Sequence, residues 1–151
     1  MRIHRLCAAL RSYYVLLAGD TVMDFCLPVH SIGTNMITLD DFIRQHIRSL
    51  NICHNSYVHA PGFSTCYVRM GPRFLDVVRH PVLDFANIAV RQPGHGIFTR
   101  LVERLRLTYP ELCIYVECVH NPRFATYLIE QLEFTQHSLH ELSYYLLATS
   151  E

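Results

Sequence analysis

The run Val90-Arg91-Gln92-Pro93-Gly94-His95-Gly96-Ile97 constrains this chain more than any other segment. An apolar run, Val82–Val90, leads into it, and a segment with helical spacing, Ile97–Leu107, leads out. In the helix Ile97, Phe98, Leu101, Val102 and Leu105 make an apolar stripe, while Arg100, Glu103, Arg104 and Arg106 face away. Tyr109-Pro110 ends it, and Cys113–Val119 reads as a buried strand. A helix between two strands predicts that they are parallel and joined by a right-handed crossover. A strand that passes through a glycine-spaced turn into a helix is also a phosphate-binding arrangement. Turn amides converge on one spot, the helix start carries partial positive charge, and glycine lets the backbone approach an anion closely.

The remaining elements are read from local signals. Thr38 followed by Asp40 and Asp41 is a helix start, and Leu39, Phe42, Ile43, Ile47 and Leu50 share one face of a helix over 38–50. Asn51–Phe63 reads as loop. Thr65–Met70, Arg73–Val78 and Val82–Val90 read as three strands of an antiparallel meander, split by Gly71-Pro72 and His80-Pro81. Asn121-Pro122 opens a further helix with Ala125, Leu128, Ile129 and Leu132 inward. Phe134–His137 and Leu142–Ala148 are a closing strand pair. In residues 1–37, His4–Ser12 reads as helix, and Tyr13–Leu17 and Val22–Leu27 as strands. The expected fold is α/β (α+β): one domain over 1–151, with a mixed, mostly antiparallel sheet, a central parallel strand pair and flanking helices.

Composition excludes some classes. The 151 residues suit one domain with a full core. Lys+Arg and Asp+Glu stand at 13 each, so no basic excess argues for nucleic-acid binding. The six cysteines form no Cys-x-x-Cys pair and read as free thiols of a reducing compartment. No metal is expected. The apolar stretch over 6–18 is interrupted by Arg11 and too short to span a bilayer, so the chain is read as soluble and cytoplasmic, without membrane partners.

The run Arg91-Gln92-Pro93-Gly94-His95-Gly96, with its strand before and helix, strand and helix after, resembles the signature of the GNAT superfamily of acyl-CoA-dependent N-acyltransferases. Asn121, Ala125 and Phe134 resemble that family's closing motif. Tyr67-Val68-Arg69, Asp84-Phe85-Ala86-Asn87-Ile88 and Val116-Glu117-Cys118-Val119-His120-Asn121-Pro122 are similar to acetyltransferases encoded by tailed phages, whose setting would be a bacterial cytoplasm. The match covers roughly 38–148. Ile129 stands where the family often has a proton-donating tyrosine, and Glu133 where it has glycine.

The resemblance implies acetyl-CoA as co-substrate and an amine acceptor: a small amine, a modified base or a protein lysine. The amides of Gln92, Gly94, His95, Gly96 and Ile97 would hold the diphosphate, with charge from Arg91. Asn87, Ile88, Ala89 and Val90 would line the thioester arm, Ile88 and Val90 through their main chain. Asn121 and Phe124 would lie near the pantetheine, although Asn121 is also the natural helix cap. Glu117, a carboxylate in an apolar strand, is the first candidate for the general base, against an ion pair with Arg69. Asp84 is the second. His95 and His120 are weaker candidates. Tyr127 is the nearest hydroxyl to the acid position, and solvent is the alternative acid. The acceptor side would involve the 38–50 helix and the loop over 51–64, with residues 1–37 as a further candidate. The reading allows a homodimer. Loss of the family tyrosine supports a catalytically inactive GNAT-fold binding module as the alternative. A different diphosphate nucleotide is more distant, because Gly94-His95-Gly96 is not followed by Lys-Ser/Thr.

Overall fold

The computed structural model describes residues 36–149. The elements read before residue 36 lie outside the described residues. In chain order the elements are α1 (Leu39–His46), β1 (His54–Tyr57), β2 (Phe63–Leu75), β3 (Val78–Val90), α2 (Ile97–Thr108), β4 (Cys113–Val116), α3 (Pro122–Leu132), β5 (Thr135–Gln136) and β6 (Tyr144–Leu146). The fold is α+β, with one mixed six-stranded sheet in the order β1-β2-β3-β4-β6-β5. β3 and β4 are parallel, and the other neighbours are antiparallel. No described helix is long and apolar enough to cross a membrane.

Local chemistry sets the helix starts. The Thr38 hydroxyl accepts from the Asp41 amide at 3.1 Å, capping α1. The Asn121 side-chain oxygen accepts from the Arg123 and Phe124 amides at 3.0 and 3.3 Å, and Pro122 occupies the first turn, where its missing N–H costs nothing. α1 is shorter than its periodicity suggests. It ends at His46, yet Ile47 and Leu50 still pack on the core from the following turn.

The strands differ more from expectation. The meander over 65–90 is a single hairpin of two 13-residue strands. Its turn is Asp76-Val77, with Asp76 left-handed at φ 56. Pro72 and Pro81 do not break the strands because they face one another. Neither can donate, so they form a non-hydrogen-bonded pair whose nitrogens point out of the hairpin. On those outer sides β1 has stopped opposite Met70 and β4 begins only opposite Val82. A strand also lies inside the segment read as loop: β1, His54–Tyr57, a polar edge strand paired with Tyr67–Met70. β4 ends at Val116, three residues before the expected end. In α3 Leu128 and Leu132 are buried, but Ile129 points outward, 46 % exposed.

Two sets of alternating side chains separate the faces of the sheet. Val68, Met70, Leu83, Phe85, Ile114, Val116, Tyr144 and Leu146 join the buried residues of all three described helices in the main core. Leu75, Val82, Cys113, Tyr115 and Tyr145 pack together on the opposite face. Asp84, Arg69, Arg73 and Glu117 fall on that second face by the same alternation. The four described cysteines, Cys53, Cys66, Cys113 and Cys118, are all free.

Candidate functional site

β3 carries both halves of the candidate site, because its two ends have different neighbours. Residues Val82–Phe85 pair with Cys113–Val116 of β4, and the pairing stops there. A bulge helps to end it: Tyr67 faces Asn87 and Val68 faces Phe85, leaving Ala86 unopposed on β3. Such an extra residue bends a strand. β4 meanwhile gives way at Glu117 to an irregular run in which Cys118 is left-handed at φ 58. The two strands therefore part after Phe85 and Val116.

Beyond the parting, the direction of the β3 main chain follows from its partner. The Cys66 carbonyl accepts from the Val58 amide at 2.9 Å, so it points away from β3. The Cys66–Ile88 pair is thus the non-hydrogen-bonded kind, and Ile88 directs its N–H and C=O to the side that β4 has left. Ala89 faces inward, its carbonyl accepting from the Ser64 hydroxyl at 3.1 Å. Val90 again faces the open side. Asn87 and Ala89 have exposed side chains, and those of Ile88 and Val90 are half-buried.

The strand continues into the turn over 91–96. Arg91 anchors it, with its amide on the Gly62 carbonyl at 2.9 Å and its Nε on the Phe63 carbonyl at 3.2 Å. Gly94 and Gly96 have φ of 82° and 66°, conformations that a Cβ disfavours. Gly96 caps α2 without a side-chain bond, and the Arg100 guanidinium donates to the His95 carbonyl at 2.8 Å. The amides of Gln92, Gly94, His95, Gly96 and Ile97 have no hydrogen-bond partner among the described residues. Gln92–His95 are exposed, and Gly96 and Ile97 half-buried. A row of unpaired amides at a helix start suits an anion. Beside Arg91 lies a cavity of about 250 Å³ bordered by Thr65 and by Tyr57, His59 and Phe63 from the segment expected on the acceptor side.

At the parting itself stands a cluster of four charges. Asp84 Oδ2 accepts from Arg69 Nε at 2.9 Å, Arg69 Nη2 at 2.5 Å and Arg73 Nη2 at 2.7 Å. Asp84 Oδ1 is buried with no partner among the described residues. Burial pushes the Asp84 carboxyl above its ordinary range, against the pull of Arg73 and Arg69. Glu117 pairs with Arg69 and stands 3.5 Å from Arg73. The Arg73 guanidinium lies 4.1 Å over the Tyr115 ring. The expected contest over Glu117, base or ion-pair partner of Arg69, thus has its ion pair in place. Arg73 was missed from the sequence. Once β2 is seen as one strand, Arg69 and Arg73 lie four residues apart on one face.

The other expected residues lie around the helices. The Tyr127 hydroxyl bonds the Thr99 hydroxyl, tying α3 to α2, and its ring stacks with Phe124 at 6.5 Å. Phe124 is half-buried, with its ring 5.5 Å from that of Phe98. Asn121 spends its side-chain oxygen on the cap. His95 and His120 are exposed. Among the described residues no group of three His, Cys, Asp or Glu could hold a metal ion. No family model matches the sequence, and no curated protein or solved structure is significantly similar to it.

Proposed function

We propose that the chain is an acetyl-CoA-dependent N-acetyltransferase of the GNAT type, moving an acetyl group to an amine by direct attack. The observation that carries this reading is the parting of β3 from β4 directly upstream of five turn amides unpaired among the described residues. A CoA molecule has a diphosphate for such amides and an amide-bearing pantetheine arm for an open strand edge. The fit is chemical: the turn offers donors and partial positive charge, and Ile88 and Val90 offer main-chain groups where the arm would run. Acetyl-CoA supplies the activated thioester. The chain's own residues orient it, take a proton from the amine and keep the reacting groups close.

Glu117 is the better of the two candidate bases. It stands one residue past the last β3–β4 pair and reaches solvent, whereas Asp84 lies beneath Arg69 and Arg73 as their buried counter-charge. Tyr127 is engaged with Thr99, so the leaving thiolate takes its proton from water, which a thiol pKa of ~8.5 allows. Calorimetry with CoA and acetyl-CoA tests the cofactor, and release of free thiol across an amine panel tests the reaction. Gly94→Val is expected to weaken CoA binding at least tenfold. Absence of binding to either compound defeats the proposal.

A second reading is a non-catalytic binding module on this fold. It is favoured by Glu117 and Asp84 both being held by guanidiniums and by the exposed Ile129 where the family often has a proton donor. CoA binding without thiol release on any amine would select it.

A further inference from the structure

The charge cluster at the parting of β3 and β4 holds two carboxylates of unequal standing. The Asp84 side chain is 3 % exposed and sits on a strand paired on both sides, and its Oδ2 takes three guanidinium donors. It is the fixed counter-charge. The Glu117 side chain is 21 % exposed and sits on the irregular run after β4, beside the left-handed Cys118. It meets Arg69 and Arg73 through one oxygen, Oε1. The two arginine side chains are 30 % and 31 % exposed. The Arg73 guanidinium lies over the Tyr115 ring, and Arg69 is held by its two bonds to Asp84.

Without Glu117, the two arginines and Asp84 would carry one net positive charge. That matches a carboxylate rather than a dianion, and paired guanidiniums suit carboxylate geometry. We propose that Arg69 and Arg73 are the recognition site for a carboxylate on the acceptor, which displaces Glu117, so that the acceptor is an amine that also carries a carboxylate, as an amino acid does. This rests on the acetyltransferase reading above. The displaced Glu117 is then free beside the amine. As the N–C bond forms and the C–S bond breaks, Glu117 takes the amine proton, and the thiolate is protonated by water.

The test uses the full chain and N-acetylglycine, which has the carboxylate without a reactive amine. The Nε–H signals of Arg69 and Arg73 are followed by NMR as it is added. Saturable shifts are expected in the wild type. In Glu117→Gln binding tightens several-fold, because the internal competitor is weakened, while acetyl transfer falls at least a hundredfold. In Arg73→Lys the KM for amino acids rises about tenfold, with kcat changed far less. Amino acids are expected to outperform their decarboxylated amines, such as tyrosine over tyramine, at least tenfold in kcat/KM. A structural salt bridge alone predicts no tightening in Glu117→Gln. Unmoved arginine signals in Glu117→Gln overturn the proposal whatever CoA does. Equal use of tyrosine and tyramine overturns it and leaves the acetyltransferase reading standing. Failure to bind CoA removes that reading, and the acceptor assignment with it, independently of the NMR result.

Discussion

Asp84 concentrates three donors on one carboxylate oxygen and leaves the other bare among the described residues. An interior carboxylate of this kind is tolerated because two cations face it. Its removal leaves two cations facing Glu117 as their one carboxylate among the described residues, so Asp84→Ala is expected to cost about 3 kcal/mol, measured by urea unfolding. Glu117 stands out in the sequence as a charge within an apolar run, and Asp84 as an acid at the early end of its strand. Their partners were less legible. Arg73 lies across a proline from Arg69, and only the unbroken pairing of β2 puts both on one face. What a carboxylate does depends on what lies across the sheet, and strand alternation reports faces without reporting neighbours.

At the scale of elements, the ends that depend on adjacent residues are the legible ones. Thr38 and Asn121 cap the helices that their spacing announces. The α3 C-terminus departs from the usual chemistry, since Glu133 holds a left-handed φ of 60° where glycine is favoured. Its contact with Arg106 spans 3.9 Å at the surface and contributes little. Glu133→Gly is therefore expected to stabilise the fold by about 0.5–1 kcal/mol, read as a raised thermal midpoint. The turn of the β2–β3 hairpin offers a pH test. Asp76 accepts from the Tyr145 hydroxyl at 2.7 Å and from the Ser138 hydroxyl at 3.1 Å. These bonds hold its carboxyl below the ordinary value and push Tyr145 up to about 12. A lowered carboxyl pKa gives stability that is present above the unfolded value and lost as pH falls through the folded one. Melts at successively lower pH below 4 are expected to show that loss, and Tyr145→Phe to lessen it. Strand ends were harder to read. Pro72 and Pro81 look like breaks in a linear sequence, and only their facing each other makes them harmless.

At the largest scale, the element order among the described residues is helix, three strands, helix, strand, helix, two strands. That order was legible, though partly through compensating errors: two expected strands are one, and β1 lies in what read as loop. The parallel pairing of β3 with β4 was legible because a helix between two apolar runs leaves little choice. The parting of β3 from β4 was not, since it depends on a one-residue offset against β2. Ligand linkage tests the whole reading. CoA at a hundredfold excess over its dissociation constant is expected to add about 2.7 kcal/mol. For a chain of this size that raises the thermal midpoint by about 5–10 °C, visible by calorimetric scanning. ATP or NAD at equal concentration is expected to leave it unchanged.

The facing prolines have a consequence for crowding. Phe74, Val77 and Val78 expose apolar side chains at the tip of the long hairpin, a place where sticky fingers invite stacking between molecules. Just behind them, both outer flanks lack a hydrogen to offer. A stranger's ribbon laid alongside would meet acceptors but no donor at that height. Swapping either ring for alanine should make concentrated solutions scatter more light, even though the fold itself survives.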